Sequence, residues 1–196
     1  MPDSNSAWGQ LSATTAQVLL CDLQKQIVAR SKTTEPKALG RSAGVLLQIA
    51  RLFSLPATLS VVPEEEKAPE VIPELSKIEG STPQLLRASA SPFFDGATRA
   101  ALAASNRKIL IIAGFAMEVV VLHAVFDALN DGYQVLVPVD ACGGMSERTE
   151  QAAMRQMEAA GAITCSVVSV ATKLAPDFTT ELGKQMFAIV QQLRLS

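Results

Sequence analysis

At 196 residues, 48% of them hydrophobic, the chain has the length for one domain and ample material for one large core. Only 5% of the residues are aromatic, so that core is aliphatic. Seventeen basic residues against nineteen acidic ones give a formal net charge of -2. That is too even a balance for an electrostatic binder of nucleic acid or membrane, and no dense Lys/Arg stripe occurs.

In chain order, Met1 to Ala16 is small and polar with Trp8 as its one large anchor, and it reads as a loose N-terminal arm. The single domain is expected over 17–196. Gln17 to Asp22 is a short buried strand ending in a carboxylate. Lys37 to Leu52 has Leu39, Ala43, Leu46, Leu47 and Ala50 at helical spacing, behind a Pro36 suited to a first turn. Pro56 to Val62 is the next strand. Pro63 to Leu86, with four prolines and an acidic cluster, is too long for an ordinary connection and reads as a functional or interface loop.

Asp95 is placed to cap a short helix running to Ser105. Lys108 to Ala113 is continuously apolar, the pattern of a strand covered on both faces. A helix is expected from Met117 to Leu129, closed by Asp131-Gly132, then a strand from Tyr133 to Val139 ending at Asp140. Glu147 to Ala160 is an amphipathic helix, Ala162 to Val170 a last strand, and Asp177 to Leu193 a last helix. Strands alternate with helices, which predicts an α/β fold of three α-β-α layers, doubly wound about a mostly parallel six-stranded sheet. Ligands in such sheets bind beyond the carboxyl ends of the strands, where Asp22, Gly114 and Asp140 fall.

Several classes of function drop out. No GxGxxG or Walker A motif follows a strand. The longest apolar run, Ile109 to Val125, is broken by Gly114 and Glu118 and is too short and interrupted for a membrane helix. The first 24 residues hold no Lys or Arg, against a secretory or transit signal. Cys21, Cys142 and Cys165 are odd in number and far apart, so a reducing cytoplasm is expected. One histidine and no CxxC pair argue against zinc, and no cofactor or metal is expected.

Four segments carry a family resemblance. Leu19-Leu-Cys-Asp22-Leu-Gln24 resembles the first strand of isochorismatase-like cysteine hydrolases, whose Asp-Leu-Gln motif carries the catalytic Asp. Arg87-Ala-Ser-Ala-Ser91-Pro-Phe93-Phe94 resembles the segment in which a catalytic Lys precedes Ser-x-Phe. Ile112-Ala-Gly114-Phe-Ala-Met-Glu118-Val-Val120-Val121 resembles Gly-Val-x-Thr-(Asp/Glu)-x-Cys-Val, and Gly132 to Ala141 resembles Gly-Tyr/Phe-x-Val-…-Asp-Ala. The resemblance runs from about residue 17 to 173 and implies an isochorismatase-like, Rossmann-like fold. It also implies an Asp–Lys–Cys triad acting on amides and related bonds. Here those positions hold Asp22, Arg87 and Val120, so only the Asp is kept.

Valine has no lone pair with which to attack, and arginine does not give up a proton near neutral pH. The family's oxyanion amides fall on Ala116 and Val120, beside a cis peptide that the resemblance also implies. Phe93, His123 and Cys142 are carried as candidate ligand-contacting positions. Metal-binding members place an Asp and two His after the second strand; here Glu64, Glu65 and Glu66 stand there without a His.

Each residue also has a plain reading. Asp22 is equally a strand-end acceptor, Val120 a core residue, and Arg87 either a salt-bridge partner of Asp22 or an anion anchor. His123, one turn beyond Val120, is an ordinary helix residue or a catalytic one. Cys142 is an inert loop thiol or a relocated nucleophile, and Glu64 to Lys67 a solvated run.

Three functions follow. The protein is a retired hydrolase acting as a ligand-binding or scaffold protein. Or it is a thiol-independent hydrolase of a small carboxylate substrate, cleaving a vinyl ether with Asp22 as proton donor and Arg87 as carboxylate anchor. Or it uses Cys142 as nucleophile. The expected partners are a small carboxylate or amide ligand and further copies of the chain.

Overall fold

The computed structural model describes residues 6–64, 68–78 and 82–194. The chain folds as α1 (Ala7–Gln10), β1 (Ala16–Cys21), α2 (Lys25–Val28), α3 (Pro36–Leu52), β2 (Ala57–Val61), α4 (Pro73–Ser76), β3 (Gln84–Leu86), α5 (Gly96–Ala104) and β4 (Ile109–Phe115). It continues through a π-turn (Met117–Val121), α6 (Leu122–Asn130), β5 (Gln134–Pro138), β6 (Cys142–Gly143), α7 (Glu147–Ala159), β7 (Ile163–Cys165), α8 (Val167–Leu174) and α9 (Glu181–Val190).

The sheet is parallel throughout, in the order β3-β2-β1-β4-β5-β7, with β6 pairing with the end of β4. Helices flank it in the three-layer arrangement that the alternating pattern predicts. Every residue of β1 and β4 is buried, as unbroken apolar runs require when both faces of a parallel strand are covered. These two strands form the centre of the core, in register from Ala16↔Ile109 to Cys21↔Gly114.

Local chemistry sets the element ends. The Glu35 carboxylate accepts from the Ala38 amide at the start of α3, where Pro36 opens the first turn. Asp95 caps α5 by accepting from the Thr98 amide and hydroxyl, each at 2.7 Å. Gly132, at φ +82°, closes α6.

Three expectations change. The strand read over Ala162 to Val170 ends at Cys165, and Val167 begins a helix. Ser166 caps that helix through the Ser169 amide, and Val167, Val170 and Ala171 are its buried face. A run of β-branched valines suits a strand or a helix, and the cap decides it. Next, the loop 63–86 contains α4, which packs on α3, and β3, which pairs with β2; β3 is the strand that the sequence pattern left unread. Within that loop Glu64 accepts from the Gln24 side-chain amide at 2.7 Å, while Glu65 to Lys67 lie outside the described residues. Finally, α9 starts at Glu181 rather than Asp177, because the Thr180 hydroxyl accepts from the Gly183 amide and caps it there.

Of the arm expected over 1–16, the described part packs: Ala7 and Leu11 are buried and Trp8 lies against the core. Among the described residues, no helix is long and apolar enough to cross a membrane.

Candidate active site

Asp22 follows the last residue of β1 and adopts φ +54°, a left-handed conformation that a residue with a Cβ enters at a cost. Its amide donates to the Ser60 carbonyl at 2.9 Å, extending the β1–β2 ladder one step past the strand. Arg87 stands just past the end of β3, its amide donating to the Val61 carbonyl at 2.9 Å. The carboxyl ends of β1, β2 and β3 thus bring Asp22, Ser60 and Arg87 to one place.

There the two charges close on each other. Arg87 Nη1 donates to Asp22 Oδ1 at 2.6 Å and Nη2 to Oδ2 at 2.7 Å, a bidentate fork on one carboxylate. Nη1 also reaches Ser60 Oγ at 3.2 Å. Arg87 is 4% exposed and Asp22 8%, so the pair has left bulk water. Burial works against the charged guanidinium, but the hydrogen bonds and the charge of Asp22 outweigh it and hold Arg87 above its ordinary value. Among the described residues, Arg87 Nε has no hydrogen-bond partner.

β4 runs alongside β1 to the same end, where Gly114 pairs with Cys21, the residue before Asp22. Gly114 has φ +149°, and a Cβ there would sit 2.1 Å from the Cys21 carbonyl oxygen, so glycine is what lets β4 lie this close to β1. The Phe115–Ala116 peptide bond is cis, and Ala116 is buried. The π-turn follows, with Met117, Val120 and Val121 pointing inward and Val119 outward. Val120, at the position that the family resemblance gives to a nucleophile, is 1% exposed, a packed aliphatic side chain.

The remaining candidates disperse. Phe93 is buried with its ring edge-on to Tyr133, centroids 6.1 Å apart, while neighbouring Phe94 is 79% exposed. His123 is exposed on α6. Cys142 lies in β6 beside Gly114 and is fully buried; desolvation pushes its thiol up to about 12, far from the thiolate that nucleophilic attack needs. Burial likewise pushes the Cys21 thiol up and the Cys165 thiol to about 12. Glu118 accepts from the Met145 amide and the Thr149 hydroxyl, each at 2.7 Å, and so ties the π-turn to the start of α7.

Asp140, at the end of β5, accepts from the Val167 amide at 2.9 Å at the start of α8. Among the described residues no group of three or more His, Cys, Asp or Glu converges to hold a metal ion.

Two polar anchors escaped the sequence. Ser60 is fully buried, and its signal was a small polar residue in a buried strand at the register partner of Cys21. Ser91 Oγ lies 2.5 Å from Asp127 on α6 and fixes the segment after Arg87; no spacing rule joins those two positions.

A doubly wound parallel sheet with a carboxylate at the end of β1 and a basic residue after β3 is the framework of an isochorismatase-like hydrolase. The isochorismatase domain matches residues 16–169, and the chain belongs to that family. It is similar to the probable hydrolase YcaC of Escherichia coli, 29% identical over 174 residues, spanning 88% of this chain and 84% of that protein. The structure of YcaC from Pseudomonas aeruginosa with hexane-2,5-diol and covalent acrylamide superposes with TM-score 0.86 at 28% identity, over 93% of this chain and 90% of that one. The E. coli YcaC crystal structure, described as an octameric hydrolase of unknown specificity, gives 0.85 at 28%, over 94% and 92%.

Proposed function

We propose that this chain is an isochorismatase-family protein that has lost cysteine-hydrolase chemistry and serves as a ligand-binding or oligomeric scaffold. The observation that carries the reading is the buried Arg87 fork on Asp22, set against a valine at the nucleophile position. Both carboxylate oxygens are occupied by Arg87, and both terminal nitrogens of Arg87 are occupied in return. Turning Arg87 to a substrate carboxylate, or Asp22 to a leaving group, requires breaking this fork first. This is why the retired-hydrolase reading is favoured over vinyl ether cleavage by Asp22 and Arg87. The burial and raised thiol of Cys142 speak equally against a relocated nucleophile.

Self-association into a homo-oligomer is the second part of the proposal. The octameric E. coli relative supports it, as does an exposed apolar patch on α8, α9 and their connection, formed by Val168, Phe178 and Phe187. The even charge balance supports no nucleic-acid partner, and three unpaired cysteines support a reducing, cytoplasmic setting.

The test is hydrolysis of small amides and of chorismate-type vinyl ethers by the purified chain and by Asp22→Asn and Val120→Cys. All three are expected to match the uncatalysed rate, because Val120→Cys leaves Arg87 in place of the Lys. Turnover that Asp22→Asn abolishes would overturn the proposal. Light scattering of the same sample is expected to give an assembly; a monomer contradicts the scaffold part.

A further inference from the structure

A cleft lies away from the Asp22–Arg87 pair, at the amino ends of β4 and β5. It has a volume of about 490 Å³, within the range of small-molecule sites. Its lining includes the Tyr133 ring, set edge-on to the buried Phe93, and the small side chains of Ala100 and Ala103 on α5. Arg99, Arg107 and Lys108 surround it. In a chain with more acidic than basic residues, three cations on one cleft are a local reversal of charge.

The hydrogen-bonding inventory is one-sided. The single carboxylate in the lining, Asp131, is already engaged by Arg99 at 2.9 Å. Arg107 Nη1 donates to the Ala13 carbonyl at 2.8 Å, which fixes that side chain across the cleft edge. The Lys108 ammonium, the Asn106 side-chain amide and the Tyr133 hydroxyl have no protein partner among the described residues. The unspent groups are therefore chiefly donors, gathered beside the half-buried Tyr133 ring. Desolvation and the nearby Asp131 hold the Tyr133 phenol above its ordinary value, so at neutral pH it remains a donor.

We infer that this cleft is a binding site for a small organic anion: a carboxylate or phosphate head carried on a flat ring. The ring lies against Tyr133, and the head takes its hydrogen bonds from Lys108, Asn106 and the free nitrogens of Arg107. The site is independent of the Asp22–Arg87 pair and holds whether or not that pair is catalytic.

Tyr133 is the only tyrosine in the chain, so ring-labelled tyrosine yields one set of NMR signals, inside the cleft. Phenyl phosphate and benzoate are titrated separately, with inorganic phosphate and benzyl alcohol as the ring-free and charge-free controls. Both aryl anions are expected to move the Tyr133 signals saturably, with inorganic phosphate at least about tenfold weaker and benzyl alcohol without effect. Lys108→Ala is expected to weaken phenyl phosphate about tenfold, the loss of one charge-assisted contact. Asn106→Asp, which sets a like charge in the cleft at almost unchanged shape, is expected to abolish binding. Lys108 and Asn106 are both exposed, so neither variant threatens the fold. Unmoved Tyr133 signals, benzyl alcohol acting as strongly as the anions, inorganic phosphate binding as tightly as phenyl phosphate, or parental affinity in either variant overturns the inference.

Discussion

Arg87→Met tests whether the family's catalytic positions have become a structural ion pair. Methionine follows the path of the arginine stem but removes both nitrogens that now satisfy Asp22. The carboxylate is then left 8% exposed, with neither a counter-charge nor enough water. Breaking a buried pair on one side costs about 3–5 kcal/mol, and in a chain of this length each kcal/mol moves Tm by about 2–4 °C. The variant is expected to melt about 6–20 °C below the parent. Asp22→Asn/Arg87→Met removes both charges while keeping at position 22 a residue type tolerated at φ +54°, and it is expected to recover at least about half of that loss, since no buried charge is left unpaired. Urea unfolding followed by Trp8 fluorescence, with circular dichroism as a second probe, gives the four corners of the cycle. A loss below about 1 kcal/mol in Arg87→Met, or single and double effects that merely add, would show a solvent-screened pair and refute the reasoning.

Three further outcomes follow. Burial holds Asp140 above its ordinary value despite the Val167 amide. A carboxyl raised in the folded state gives stability that is whole at low pH and is lost as pH rises through the raised value. Asp140→Asn keeps an acceptor for Val167 and should therefore gain stability relative to the parent from about pH 4 upward; a difference that shrinks with rising pH contradicts this. The buried or half-buried thiols of Cys21, Cys142 and Cys165 should stay unmodified by acrylamide or a disulfide reagent at neutral pH until the chain is unfolded. Mass spectrometry of the native protein showing a fast adduct would return a reactive thiol to the account. Gly114→Ala should cost more than about 4 kcal/mol or prevent folding, from the forced φ and the collision with the Cys21 carbonyl; a soluble variant of parental Tm refutes that geometry.

The parts of the molecule that were legible in sequence are those with a strong single period. Ile109 to Ile112 had no reading but a covered parallel strand, and α3 no reading but a helix. Asp22, Gly114 and Asp140 were placed at strand ends by the same periodicity. What escaped was decided by tertiary contact. The three residues of β3 carry too little pattern to be seen, yet their pairing with β2 delivers Arg87 to Asp22. Val167 to Val170 satisfied two periods until a serine cap chose one. The fork itself was one of two equal readings of Arg87, because a sequence fixes neither the rotamer nor the separation that distinguishes an anion anchor from a salt bridge.

The most direct measurement is a crystal structure of the protein soaked with a mixture of small carboxylates and amides, refined at the ends of β1, β3 and β4. The expected density shows Arg87 still forked on Asp22, Val120 still buried, and no ligand on either charge. An acid seated on Arg87, with the guanidinium turned away from Asp22 to hold it, would contradict the account and restore a working site.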